Sequence, residues 1–97
     1  MEPTARLSRR VHEDFAGDDA ELVMSLLRDL AGMPGPAVGE RVQAAVVKLS
    51  LGDLSRLDAQ LAEVRMDWRD VLVAAGFAGE DWRERLDEYL GPEGLRA

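Results

Sequence analysis

Few residues of this sequence are of types that carry out catalysis, and their spacing matches no known catalytic motif. The single histidine, His12, stands four residues after Ser8 and beside Glu13. A general base needs a hydrogen-bonded partner and a substrate pocket, and a zinc-binding His-Glu-x-x-His motif needs a second histidine. Cysteine is absent, which excludes disulfides, thiolate metal sites and thiol nucleophiles. The sequence therefore predicts no catalytic residue, no metal site and no cofactor, with His12 on the surface.

Carboxylates are numerous, and they are the remaining candidates for chemistry. Glu84 and Glu88 are one helical turn apart, and Asp81 stands three residues before Glu84. Magnesium and calcium ions need oxygen ligands that converge from several segments, whereas these three come from one segment. The spacing favours a salt-bridged helix surface. A small enzyme or ligand-binding protein that uses surface carboxylates is kept as an alternative.

One basic cluster, made of Arg6, Arg9 and Arg10, interrupts an otherwise acidic chain. The net charge is −7, from 19 acidic and 12 basic residues. Nucleic-acid binding depends on neutralising phosphates and is usually accompanied by a basic excess. We therefore expect the three arginines to form a solvated helix face. Nucleic-acid binding through this N-terminal helix is a second alternative.

Aromatic residues are concentrated in the last third of the chain, where arginines accompany them. Before Trp68 the only aromatic residue is Phe15. Tryptophan, tyrosine and arginine are the residue types that dominate binding energy at protein interfaces. The alternative is that these rings complete the core around two short helices. The sequence thus favours a non-catalytic module that binds another protein or itself as a dimer, through Trp68, Arg69, Phe77, Trp82, Arg83 and Tyr89.

The segments that position these residues are all predicted to be helical. Apolar residues recur at helical spacing, and glycines follow the apolar segments at positions where a helix commonly ends. No segment has the alternation of a strand. The pattern predicts an all-α fold, a compact bundle of five to six short helices, with the segment 36–51 at its centre. The helices are expected at about 4–15, 19–31, 36–51, 53–65, 68–75 and 82–90, and the terminating glycines are Gly17, Gly32, Gly52, Gly76 and Gly91.

Two short segments repeat the same pattern, Asp67-Trp68-Arg69-Asp70 and Asp81-Trp82-Arg83-Glu84. Aspartate is a preferred N-cap because its carboxylate accepts a hydrogen bond from the second or third amide of the helix. An acidic residue three positions later favours the positive end of the helix. We interpret the two segments as two capped helix starts rather than as a functional repeat.

The length and hydropathy pattern indicate one domain over residues 1–97, with residues 1–3 and 92–97 frayed. The 97 residues leave no room for two independent cores. The first residues contain no apolar run of signal-peptide length, and no apolar stretch is long enough to span a membrane. The sequence therefore predicts a cytoplasmic protein.

Part of the chain is similar to known sequences. The residues concerned are Glu40-Arg41-Val42, Ala45 to Leu49, Gly52-Asp53-Leu54 and the run from Asp67 to Phe77. Across about residues 37–78 the chain resembles a group of small, uncharacterised bacterial helical proteins. The resemblance implies a bacterial, cytoplasmic, helical protein, and it implies no functional residue because no activity is attached to that group.

Overall fold

The computed structural model describes residues 3–31 and 39–91, and these residues fold into five α-helices. Within those two ranges there is no strand, so the all-helical prediction is confirmed. The predicted helices 53–65 and 68–75 are both present, and they are labelled together as α4, although the extended backbone of Asp67 separates them. The helices are α1 (Ala5–Asp14), α2 (Gly17–Ala31), α3 (Glu40–Ser50), α4 (Leu54–Ala75) and α5 (Trp82–Leu90).

Aspartate caps and glycines fix several helix ends. Asp53 accepts hydrogen bonds from the amides of Ser55 and Arg56 at 2.8 and 3.2 Å, which caps the start of α4. Gly76 ends α4 with φ of 83°, a conformation that a side chain would strain. The predicted terminators Gly17, Gly52, Gly76 and Gly91 all have positive φ, whereas Gly32 lies outside the described residues.

Helix α3 begins later than expected, at Glu40 rather than at residue 36. Gly39 directly before it has extended backbone angles and offers no side chain as a cap. The proposed Gly35-Pro36 start lies outside the described residues. The central position predicted for this segment is confirmed, because every residue from Val42 to Val47 is buried and α3 packs on α1, α4 and α5.

One polar side chain lies inside this core. Gln43 is fully buried, and its Nε2 donates to the backbone carbonyl of Leu27 at 3.1 Å. This hydrogen bond ties α3 to α2. The Gln43 Oε1 has no hydrogen-bond partner among the described residues. A buried amide that is only half satisfied costs stability but fixes the register of the two helices.

The arginine cluster of α1 is solvated only in part, because Arg6 is mostly buried while Arg9 is exposed, and all three arginines donate to carbonyls at the end of α5. Arg6 Nη1 donates to the carbonyl of Gly91 at 2.8 Å. Arg9 Nη2 donates to that of Leu90 at 2.7 Å, and Arg10 Nη1 to that of Tyr89 at 3.4 Å. The last carbonyls of a helix lack helical partners and form its negative end, so cations stabilise them. Helix α1 is thus joined to the carboxyl end of α5.

Across residues 3–31 and 39–91, no helix has the length and apolar character that a membrane span requires.

Candidate functional site

The residues predicted to form a contact surface are separated by the fold. Phe77 is fully buried and is not part of any exposed surface. Its ring centroid lies 6.0 Å from that of Tyr89, and Lys48 Nζ lies 4.9 Å from the Phe77 centroid. The structure therefore supports the alternative prediction for Phe77, namely that its ring belongs to the core.

Tyr89 stands near the carboxyl end of α5, two turns after Trp82, and it does not line the pocket that both tryptophans line. It lines a polar depression together with Arg10, Glu13, Asp14 and Lys48. The Arg10 guanidinium lies 4.4 Å from the centre of the Tyr89 ring. Burial raises the pKa of Tyr89 to about 12, and its hydroxyl has no hydrogen-bond partner among the described residues. Tyr89 is thus mainly part of the packing between α1, α3 and α5.

Trp68 and Trp82 are brought together, and they line the same half-open groove of about 360 Å³. Trp68 is the first residue of α4 after the interruption at Asp67, and Trp82 is the first residue of α5. Both rings are half-buried and pack against the core. We call this the tryptophan groove, and its lining consists of Gly39, Glu40, Arg41, Val42, Trp68, Leu72, Trp82 and Leu86.

Two guanidinium groups lie against the Trp82 ring. The Arg41 Cζ is 4.3 Å from the ring centroid, and the Arg83 Cζ is 4.6 Å from it. Such cation–π contacts hold both the arginines and the ring in place. Arg41 is fixed further because its Nε donates to the carbonyl of Phe77 at 2.8 Å. The wall of the groove is therefore both aromatic and cationic.

Glu40, which lines the groove, is already paired with Arg6. Arg6 Nη2 lies 2.5 Å from Glu40 Oε1, and Arg6 Nε donates to Oε2 at 2.9 Å. The Thr4 hydroxyl also donates to Glu40 Oε2. These hydrogen bonds, led by those from Arg6, hold the pKa of Glu40 below its ordinary value. Arg6 Nη1 also donates to Asp87 Oδ1 at 2.6 Å.

The aspartates directly before the two tryptophans, Asp67 and Asp81, are also paired. Asp81 Oδ2 accepts from Arg85 Nε at 2.8 Å, which lowers the pKa of Asp81. Asp67 Oδ1 lies 3.3 Å from Arg69 Nε. By contrast, neither Arg41 nor Arg83 forms an ion pair with any residue that the structure describes. These two cations are the charges that the fold leaves uncompensated at the groove.

Arg69 lies beside the tryptophan groove but does not line it. Its Cζ is 5.9 Å from the Trp68 ring centroid, and Asp67 holds its Nε. Two large apolar side chains of α4 are exposed nearby in sequence, Met66 at 82% and Val73 at 66%. Val73 follows Arg69 by one helical turn, just as Leu72 follows Trp68, so the first pair lies beside the second on the helix surface. The groove therefore adjoins a partly apolar helix face.

The residues considered for catalysis remain dispersed. His12 is exposed; its Nδ1 lies 2.8 Å from the backbone oxygen of Ser8, and its Nε2 lies 3.7 Å from Glu21 Oε1. Ser8 therefore meets His12 through its carbonyl. In the part of the chain that the structure describes, no group of three or more His, Cys, Asp or Glu side chains is placed to hold a metal ion.

Sequence reasoning missed Arg41 and Glu40 as residues of this site. Both stand in the first turn of α3, far along the chain from Trp82, and no local pattern links them to it. The first-turn position of Glu40 is typical of any helix start. The resemblance covered both residues but assigned them no role. Leu72 and Leu86 are buried in the core and also line the groove.

Comparison with known proteins adds no functional assignment. No family model, no curated protein and no solved structure matches this chain.

Proposed function

We propose that this protein is a non-catalytic interaction module that binds another protein through the tryptophan groove. The observation that supports this proposal is the pairing of Trp68 and Trp82 in one half-open groove. Tryptophan and arginine are enriched among the residues that contribute most to binding at protein interfaces. Arg41 and Arg83 lie against Trp82 at that groove.

The shape and setting of the groove fit a protein segment. A groove of about 360 Å³ is at the lower end of the range for small-molecule sites, and it is large enough for one or two side chains. The exposed Met66 and Val73 lie on the same helix as Trp68. Val73, which directly follows the groove residue Leu72, adds exposed apolar surface beside the groove, and this favours a partner that covers a wider face.

Gly39 offers a direct way to test the groove without disturbing the fold. A Cβ at Gly39 meets no atom within 4 Å, and its φ is −108°, which any residue adopts. A Gly39→Phe substitution therefore adds a large side chain at the groove, of which Gly39 is a lining residue. Leu22→Ser is the matched control, because Leu22 is an exposed apolar residue of α2 that lines neither the groove nor the Tyr89 depression.

The experiment is quantitative affinity capture from a lysate of the source cells, with the wild type and both variants as bait. We expect specific partners of the wild type to be lost with Gly39→Phe and kept with Leu22→Ser. Circular dichroism verifies that the variants remain folded. If Gly39→Phe captures the same proteins in the same amounts as the wild type, the groove is not the binding site and the proposal fails.

A further inference from the structure

The tryptophan groove and the groove beside it together carry a net charge opposite in sign to that of the molecule. The chain carries −7 in total. A second groove, of about 210 Å³, adjoins the tryptophan groove and shares with it Glu40, Trp82 and Leu86. Together the two grooves are lined by three arginines and two carboxylates, namely Arg6, Arg41, Arg83, Glu40 and Asp87.

Within this set the carboxylates are already satisfied. Arg6 binds both Glu40 and Asp87, at 2.5 and 2.6 Å. The side chains of Arg6 and Glu40 are only 10% and 18% exposed, so this pair is shielded from an incoming ligand. Arg41 and Arg83 are left without a counter-charge among the described residues. Asp87 is half exposed, so a ligand at the two grooves meets two arginines, Arg41 and Arg83, and one carboxylate.

Two contacts hold the Arg41 guanidinium in a fixed position at the groove, where it can bind a carboxylate. Its Nε is occupied by the Phe77 carbonyl and its plane lies against Trp82. Both contacts restrict the side chain, which lowers the entropy lost on binding. Neither contact uses the Nη1 and Nη2 groups, which form the end of the guanidinium that binds carboxylates in bidentate fashion.

Arg83 adds a second cation. It is exposed, and among the described residues it contacts the Trp82 ring, with its Cζ 4.6 Å from the centroid. The Trp82 ring thus contacts one arginine that is also hydrogen-bonded, Arg41, and one that is exposed, Arg83. Beside them, Trp68, Leu72 and Leu86 provide an apolar floor.

We propose that the tryptophan groove recognises an acidic peptide segment in which carboxylate side chains flank a large apolar side chain. The apolar side chain occupies the floor formed by Trp68, Leu72 and Leu86, and the carboxylates bind Arg41 and Arg83. This assignment rests on the proposed interaction function, and it names the chemistry of the partner. Charge complementarity favours this occupant, because a basic or neutral segment leaves both cations unpaired.

The test is selection from a random peptide display library against the full chain, followed by counter-selection on Gly39→Phe. We expect the peptides retained by the wild type alone to be enriched in Asp and Glu next to Leu, Phe or Trp. Groove-dependent peptides without acidic enrichment would overturn this inference and leave the interaction function standing. If no peptide and no lysate protein distinguishes wild type from Gly39→Phe, both proposals fail.

A synthetic peptide from the selection then identifies the contacts. The two tryptophans of the chain both line the groove, so their fluorescence reports binding directly. We expect Arg83→Gln and Arg41→Gln each to weaken binding by about five- to tenfold, the loss of one charge-assisted contact. Arg56→Gln is the matched control, because it removes an exposed arginine that lines neither groove. Equal weakening by all three variants would show a net-charge effect and contradict the assignment.

Two other occupants are outcomes of the same experiments. Light scattering that shows a dimer in the wild type and a monomer in Gly39→Phe would place a second copy of this chain in the groove. Displacement of the selected peptide by a single-stranded oligonucleotide at low salt, with retention of the oligonucleotide by the wild type alone, would indicate nucleic acid. Either result would overturn the acidic-peptide assignment.

Discussion

The two Asp-Trp-Arg segments have the same sequence pattern but different structures. At the first, Asp67 Oδ1 accepts from the amide of Arg69 at 3.1 Å and contacts its Nε at 3.3 Å. At the second, Asp81 makes no cap hydrogen bond, and its carboxylate binds Arg85 instead. One aspartate thus fixes its helix start and its arginine, whereas the other does neither.

The difference determines which arginine is available at the groove. Arg69 is held by Asp67 and does not line the tryptophan groove. Arg83, two residues after an aspartate that is occupied elsewhere, rests on the Trp82 ring and lines the adjoining groove. The Asp-Trp-Arg pattern therefore specifies a helix start. Neighbouring charges decide whether its arginine pairs with the aspartate or stays available for binding.

The comparison also shows how α5 is held. Because the side chain of Asp81, the residue directly before α5, does not cap the helix, the contacts at the carboxyl end of α5 gain importance. There Arg6 binds Gly91 and Asp87 and links them to Glu40 of α3. The second half of α4 needs no such support, since Asp67 caps it.

The largest effect is expected from Arg6→Ala. Removing this mostly buried guanidinium leaves Glu40 and Asp87 without their counter-charge, so we expect a loss of about 2 kcal/mol in the free energy of unfolding. Urea denaturation measures the loss. Hydrogen exchange distinguishes the helices, because the amides of α5 are expected to lose protection while those of residues 68–75 keep it. Uniform loss of protection in both segments would contradict the contrast between the two helices.

A smaller loss, of about 1.5 kcal/mol at pH 7, is expected from Glu40→Gln, because the amide keeps a hydrogen bond but loses the charge. Arg6 lowers the pKa of Glu40 in the folded state. The stability that the Glu40 carboxylate contributes is therefore complete above its pKa in the unfolded chain, near 4.5. This contribution is lost as the pH falls through the lower pKa of Glu40 in the folded state. Between pH 7 and pH 3, the difference in the free energy of unfolding between the wild type and Glu40→Gln is expected to shrink. A constant difference across that range would exclude the charge as its cause.

Next in size is the loss of the Asp67 cap. Asp67→Ala is expected to cost about 1 kcal/mol, and Asp67→Asn much less, because asparagine also caps helices. Asp81→Ala is the matched control, and it is expected to change stability little because Asp81 caps nothing. Thermal or urea unfolding of the three variants provides the comparison. Equal destabilisation by the two alanine variants would contradict the structural difference between the two starts.

Much of the fold was predictable because helix ends are local features. The positive φ of Gly52 and Gly76 and the cap at Asp67 follow from which residues tolerate those backbone angles and which carboxylates reach an amide. The predicted cap at Asp81 is wrong because Arg85, one turn later, binds the same carboxylate. Two local interactions of similar strength compete there, and sequence spacing does not decide between them.

The site was only partly predictable because it depends on distant contacts. Trp68, Trp82 and Arg83 were recognisable from residue type alone. Arg41 was not, because its role arises only when α3 packs beside α5. Likewise, the arginines of α1 look solvated until the carboxyl end of α5, from the far end of the chain, lies against them. Phe77, included by residue type, is in the core.

The smallest expected effect concerns Arg83. It tests whether Arg83 lacks an ion pair because Arg85 already binds Asp81. In Arg85→Gln the Asp81 carboxylate loses its partner, and Arg83 then stands in the same relation to Asp81 as Arg69 does to Asp67. We expect Arg83 to replace Arg85 in part. Stability is expected to change little, because the pair is exposed and such pairs contribute little.

The readout is the pKa of the Asp81 carboxyl, followed by NMR titration. Arg85 lowers this pKa in the wild type, so it is expected to rise in Arg85→Gln and to rise further in the double variant Arg83→Gln/Arg85→Gln. The second increment measures the capture of Arg83. If the single and double variants titrate alike, Arg83 stays on the Trp82 ring whatever Asp81 does, and its availability is then set by the cation–π contact rather than by competition between arginines.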